Sequence, residues 1–125
     1  MDRILNTFKK NGLKATAARC RILQMLYSTK KPISARNIYK KYSKELDLAT
    51  AYRVLKIFEK KDIIYSENTE GGKKYYIAKK PHHHITCKKC KKVECVPCRH
   101  NFSEVKNFLL IRHELSLTGV CAKCY

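Results

Sequence analysis

DLATAYRVLKIFEKKDII, residues 47–64, decides how the N-terminal half is read. Asp47 is a residue type that caps helices, because its carboxylate can accept from the backbone N–H groups that a first turn leaves unbonded. After it, Ala51, Val54, Leu55 and Phe58 recur at i, i+3, i+4 and i+7, which predicts a helix with one buried stripe. The opposite face offers Thr50, Tyr52, Arg53 and Lys56.

Upstream, Ile4, Leu5 and Phe8 mark a short amphipathic helix that stops before Gly12. Thr16 is placed to cap a second helix carrying Ile22, Leu23 and Leu26 on one face, with Cys20 beside that stripe as a small buried hydrophobe. Pro32 breaks the chain, and Ser34 caps a third helix with Ile38 and Tyr42 turned inward. Downstream, the β-prone runs Ile63-Ile64-Tyr65 and Tyr75-Tyr76-Ile77 flank a hairpin tip near Glu70-Gly71-Gly72. Helices followed by a hairpin are the order of a winged helix-turn-helix, which lays its recognition helix in the DNA major groove. A plain helical core with a solubilising face would give the same pattern, so charge has to decide.

The chain has 125 residues, with 28 Lys plus Arg against 10 Asp plus Glu and a net charge of +18. Residues 1–80 hold 20 basic and 7 acidic side chains, and residues 81–125 hold 8 and 3. That excess suits a polyanion, of which nucleic acid is the commonest. A ribosome-associated protein would share it. An anionic membrane fits less well, since the charges do not line one amphipathic helix with a bulky apolar face. MDRILNTFKK has no long apolar core or cleavage-site pattern, and the longest apolar run, Phe108-Leu109-Leu110-Ile111, is far too short to span a bilayer. The expectation is a cytoplasmic protein without a membrane partner.

Residues 81–125 change character: all five histidines and six of the seven cysteines lie here. Short strands are expected over Ile85–Cys87, 92–96 and 114–120, and a helix over 103–110 that buries Val105, Phe108 and Leu109. Cys87-x-x-Cys90 and Cys121-x-x-Cys124 present four thiolates, the usual closed structural zinc set. Apparent zinc binding of roughly 10–16 kcal/mol rivals the roughly 5–15 kcal/mol that holds a whole domain, so metal rather than packing would hold so small a unit together. Cys95-x-x-Cys98 admits a rival pairing with Cys87 and Cys90, across only residues 91–94; the outer pairing is preferred because a strand is expected there.

His82, His83 and His84 stand just before the first knuckle. On a strand, His82 and His84 would face one way and His83 the other, separating two sites. Imidazole suits zinc, iron, nickel or copper. His113 and His100 are weaker candidates. No enzyme signature is present: H-x-E with P-C-x-x-C and H-E-x-x-H are both missing, Glu94, Glu104 and Glu114 lack a general base's spacing, and four glycines form no phosphate loop. Neither catalysis nor a small-molecule substrate is expected.

GLKATAAR (12–19), ISARNIYKK (33–41), DLATAYRVLKIFEKKDII (47–64), EGGKKYYIA (70–78), HHHITCKKCKKV (82–93) and HELSLTGVCAKC (113–124) together resemble the ferric uptake regulator (Fur) superfamily of metal-dependent repressors, in its zinc-uptake-regulator-like form. The resemblance implies an α+β chain: a winged-helix DNA-binding domain over 1–80, then a small α/β dimerisation domain with structural zinc over 81–125. It implies base contacts by Tyr52 and Arg53 and a minor-groove contact by Lys14. We add Arg19, Thr50 and Lys56 as candidate DNA-contacting residues. It also implies structural zinc on Cys87, Cys90, Cys121 and Cys124, a sensory metal on His82 and His84, and an auxiliary site with His83 and His113.

Departures from the family pattern bear on the metal. The acidic or Cys ligand expected near Ile77, the His near Pro32 and the auxiliary His at Pro81 are absent, and Cys95 replaces an acidic sensory ligand. Soft sulfur replacing oxygen favours zinc over iron(II) on His82, His84 and Cys95, with Cys98, His100 or Glu67 as further donors. The expected function is a homodimeric, zinc-responsive repressor of a palindromic operator. An iron-responsive relative, a DNA-binding protein with structural zinc only, and a redox switch using Cys95 and Cys98 are the alternatives.

Overall fold

A computed structural model describes residues 1–78, 82–98, 105–109, 111, 113 and 115–125. Four helices come first: α1 (Asp2–Lys10), α2 (Ala17–Ser28), α3 (Ala35–Tyr42) and α4 (Leu48–Lys60). The starts of α2, α3 and α4 are those expected. Thr16 Oγ1 accepts from Arg19 N, Asp47 Oδ1 accepts from Thr50 N, and Ser34 and Asn37 form a reciprocal capping box. Ile4 and Phe8 of α1, Ile22, Leu23 and Leu26 of α2, Ile38 of α3, and Ala51, Val54, Leu55 and Phe58 of α4 meet in one core, with Phe8 and Phe58 stacked at 5.8 Å. Leu5 lies outside it, exposed. Cys20 packs against this core, half-buried.

Strands β1 (Tyr65–Thr69) and β2 (Gly72–Tyr76) form the wing, paired from Tyr65 opposite Tyr76 to Thr69 opposite Gly72. Gly72 sits at φ 104°, a conformation glycine adopts without steric cost at the tight return. Ile33, just after Pro32, bridges to Tyr75 in both directions at 2.9 and 2.7 Å, tying the α2–α3 connection to the wing. The fold is α+β, with a winged helix-turn-helix leading.

A second sheet follows in the order β4-β3-β5, from β3 (His83–Cys87), β4 (Val93–Val96) and β5 (Leu117–Gly119). β4 runs antiparallel to β3 and β5 runs parallel to it. The expected boundary at 80/81 and the residues Pro81, His100 and Glu104 lie outside the described residues. The helix expected over 103–110 is not found among the described ones. Lys106 and Asn107 form a turn, with Asn107 at φ 70°, and Val105, Phe108 and Leu109 are exposed rather than buried. Among the described residues, no second layer buries these side chains. No helix among the described residues is long and apolar enough to cross a membrane.

Candidate metal centres and nucleic-acid face

Because β3 and β5 run parallel, the knuckles that follow them emerge at the same end of the sheet. Cys87, Cys90, Cys121 and Cys124 converge there, their sulfurs all within 4.8 Å of one another. Cys90 Sγ lies 3.7 Å from Cys121 Sγ. Tetrahedral zinc, with bonds of about 2.3 Å, sets its sulfurs about 3.8 Å apart, so this donor set fits structural zinc. The backbone N–H groups of Cys121 and Cys90 point at Cys87 Sγ at 3.4 and 3.5 Å. They pull the Cys87 thiol down to about 5, while hydrogen bonds to the neighbouring thiols, Cys121 first, push Cys124 up to about 12. The rival pairing with Cys95 and Cys98 is not what the structure assembles.

Alternation along β3 sorts the histidine run onto two faces. His84 is paired with Cys95 across the β3–β4 ladder, so imidazole and thiol leave the same side. His82 Nε2 is 3.0 Å from His84 Nε2 and 3.7 Å from Cys95 Sγ. Mixed nitrogen and sulfur ligands of a tetrahedral metal stand about 3.3–3.8 Å apart, so this trio is also close to a metal's dimensions. Glu67, weighed above as a further donor, is not one of the convergent ligands. Its Oε2 instead accepts from His84 Nδ1 at 2.9 Å. Sequence reasoning missed Tyr76. Its hydroxyl donates to His82 O at 2.5 Å and accepts from His82 N at 3.2 Å, and its ring lies 4.8 Å from both imidazoles. No sequence signal separates that tyrosine from Tyr75 beside it.

On the other face, His83 Nε2 lies 3.1 Å from His113 Nε2, which is 3.0 Å from Cys98 Sγ. Cys98, considered above alongside Cys95, therefore groups with His83 and His113. The two thiols of Cys95-x-x-Cys98 belong to different clusters.

On α4, Tyr52, Arg53 and Lys56 are exposed and Thr50 is half-buried. Arg53 Nη2 donates to Thr50 Oγ1 at 3.0 Å, which holds the guanidinium against the helix start. Lys14 is exposed, and Arg19 Nη1 turns back to donate to Lys14 O at 2.8 Å. The first turns of α2 and α3 carry no acidic side chain and have neutral caps, Thr16 and Ser34, which leaves their N-termini electrostatically open to phosphate, whereas the Asp47 carboxylate occupies that of α4.

Residues 10–118 match the Ferric uptake regulator family. The chain is similar to the Ferric uptake regulation protein of Escherichia coli K12, 35% identical over 127 residues that cover 92% of this chain and 86% of that one. Among solved structures it is similar to the Helicobacter pylori ferric uptake regulator, described as having three functional metal binding sites. That match has a TM-score of 0.68 and 27% identity, and covers 98% of this chain and 89% of the other. It is similar also to the Vibrio cholerae ferric uptake regulator, with a TM-score of 0.66, 31% identity and coverage of 93% and 98%.

Proposed function

The chain belongs to the Ferric uptake regulator family of metal-dependent, DNA-binding transcriptional regulators, and from that premise we propose that it is a zinc-responsive repressor working as a homodimer on a palindromic operator. One observation carries the choice of metal. Each non-structural cluster combines two imidazoles with a thiol, His82/His84/Cys95 and His83/Cys98/His113. Thiolate beside imidazole selects zinc over iron(II), which competes better where oxygen ligands dominate. The Helicobacter pylori regulator has three functional metal binding sites, and three convergent donor groups occur among the described residues here.

A metal on His82, His84 and Cys95 would supply fixed bonds between strands of the second sheet, right where that sheet meets the wing. The chain's own residues do the rest. Glu67 of β1 and Tyr76 of β2 connect the wing to His84 and His82. The exposed face of α4 carries Tyr52 and Arg53 to base edges, while Lys14, Arg19, Thr50 and Lys56 meet backbone or sugar. Exposed Val105, Phe108 and Leu109 supply apolar surface for a second copy, which doubles the DNA face and matches a two-fold operator. The segments 1–80 and 81–125 act as the DNA-reading and the pairing, metal-holding units.

Iron(II) is the second reading, because relatives at 33–35% identity are Ferric uptake regulation proteins. Metal content of the purified chain under buffered competition between zinc and iron(II) separates the two. We expect zinc to be retained beyond the structural site and to fall in Cys95→Ser. Iron(II) retained in preference, with content unchanged in Cys95→Ser, would reverse the assignment.

A further inference from the structure

We propose that Glu67, on the wing, is a positioning residue for the regulatory metal: it fixes the ring of His84 so that Nε2 is the nitrogen offered to the ion. The inference rests on the reading that His82, His84 and Cys95 bind a metal. Glu67 is the central residue of β1 and is 6% exposed, and His84 is 5% exposed. Their 2.9 Å contact runs from the carboxylate to Nδ1. An ionised carboxylate only accepts, so Nδ1 must carry the hydrogen, and in a neutral imidazole that leaves the lone pair on Nε2. Nε2 is the atom 3.0 Å from His82 Nε2, inside the cluster. A carboxylate behind a ligating histidine orients the ring and raises its basicity, and removing it typically weakens metal binding about 10–100-fold.

The carboxylate lies on β1 and the histidine on β3, so this contact crosses from the wing to the second sheet. Tyr76 of β2 makes a parallel connection, gripping the backbone of His82 through its hydroxyl. The two strands of the wing thus each hold one of the two histidines, one by its ring and one by its main chain. Anything that draws charge from His84 Nε2 strengthens the Nδ1–H···carboxylate bond and tightens the wing. By linkage, a wing held by DNA favours the metal.

Cobalt(II) added to the full chain with its four-cysteine zinc in place tests this. In the wild type, the visible bands should include a thiolate-to-cobalt transition that vanishes in Cys95→Ser. In Glu67→Gln, the bands should keep their positions while the cobalt dissociation constant rises about 10–100-fold. Tyr76→Phe should weaken cobalt several-fold with the same spectrum. Nitrogen-15 correlation spectra of the wild type without regulatory metal should show His84 as the Nδ1–H tautomer, a readout independent of any variant. An Nε2–H tautomer, unchanged cobalt affinity in Glu67→Gln, or bands that shift in that variant because Glu67 is itself a ligand would each overturn the proposal. A wild-type spectrum independent of Cys95 would overturn the underlying metal assignment, and this inference with it.

Discussion

His84 of β3 and Cys95 of β4 are direct partners in the antiparallel ladder, and that register places an imidazole and a thiol on the same side of the sheet. Side chains alternate along a strand, so a slip of one residue would send Cys95 to the opposite face. The connection that sets the register is the turn carrying Cys87 and Cys90, closed by Lys91 N to Cys87 O at 3.0 Å and Cys87 N to Lys92 O at 2.8 Å. The turn that carries two of the four candidate zinc ligands therefore also sets the register on which the second cluster depends.

Cys121→Ser should accordingly cost two sites. Opening the structural centre removes a large share of what stabilises this sheet. We expect hydrogen exchange to lose protection in β3 and β5 while α1–α4 keep theirs, and the Cys95-dependent cobalt spectrum to disappear. Protection of β3 equal to wild type would show that packing alone holds the sheet.

Arg53→Ala should weaken operator binding by about 1–3 kcal/mol if the guanidinium reads a base edge bidentately. Binding to random DNA should change far less. Fluorescence anisotropy on both duplexes at one stated salt concentration separates base reading from phosphate contact, because an equal loss on both identifies the latter.

Asp47 gives α4 a pH dependence. Hydrogen bonds from the Thr50 side chain, then from its backbone, hold the Asp47 carboxyl below its ordinary value of 3.8. Its contribution to stability is complete above that value and is lost as pH falls through the lower folded-state one. Urea unfolding of the helical half should thus show a larger drop from about pH 5 to about pH 3 in wild type than in Asp47→Ser, which keeps an acceptor that does not titrate. Parallel drops would contradict this.

On the proposal that the chain works as a homodimer, Leu109→Asp should shift it to monomer. Leu109 is 92% exposed beside Phe108 at 65%, an arrangement that calls for a covering partner. Sedimentation should shift from dimer to monomer, with α1–α4 unfolding as in wild type. A monomeric wild type would contradict the proposed homodimer, and a variant that stays dimeric would move the interface elsewhere.

Much of this was legible in the sequence because the signals were local. Caps at Thr16, Ser34 and Asp47 and the stripe through Ala51 and Phe58 depend on neighbours a turn away. The separation of His83 from His82 and His84 follows from strand alternation alone. The grouping of Cys98 with His113 did not, because their contact spans fifteen residues of chain whose path no periodicity specifies. Tyr76 escaped assignment for a related reason, and Glu67, expected as a direct donor, instead backs the ring of His84. A wing residue becomes second support to a histidine only through the packing of two sheets. The helix expected over 103–110 shows the reverse error: apolar spacing there implies burial within the chain, whereas the structure leaves Val105, Phe108 and Leu109 exposed.

The most direct test of the whole account is operator affinity of protein carrying only its four-cysteine zinc, measured with and without added zinc, in wild type and in a variant with His82, His84 and Cys95 replaced by alanine. The account predicts that zinc tightens wild-type binding and leaves the variant at the weaker, metal-free level. Equal operator affinity of wild type and variant at saturating zinc would contradict it.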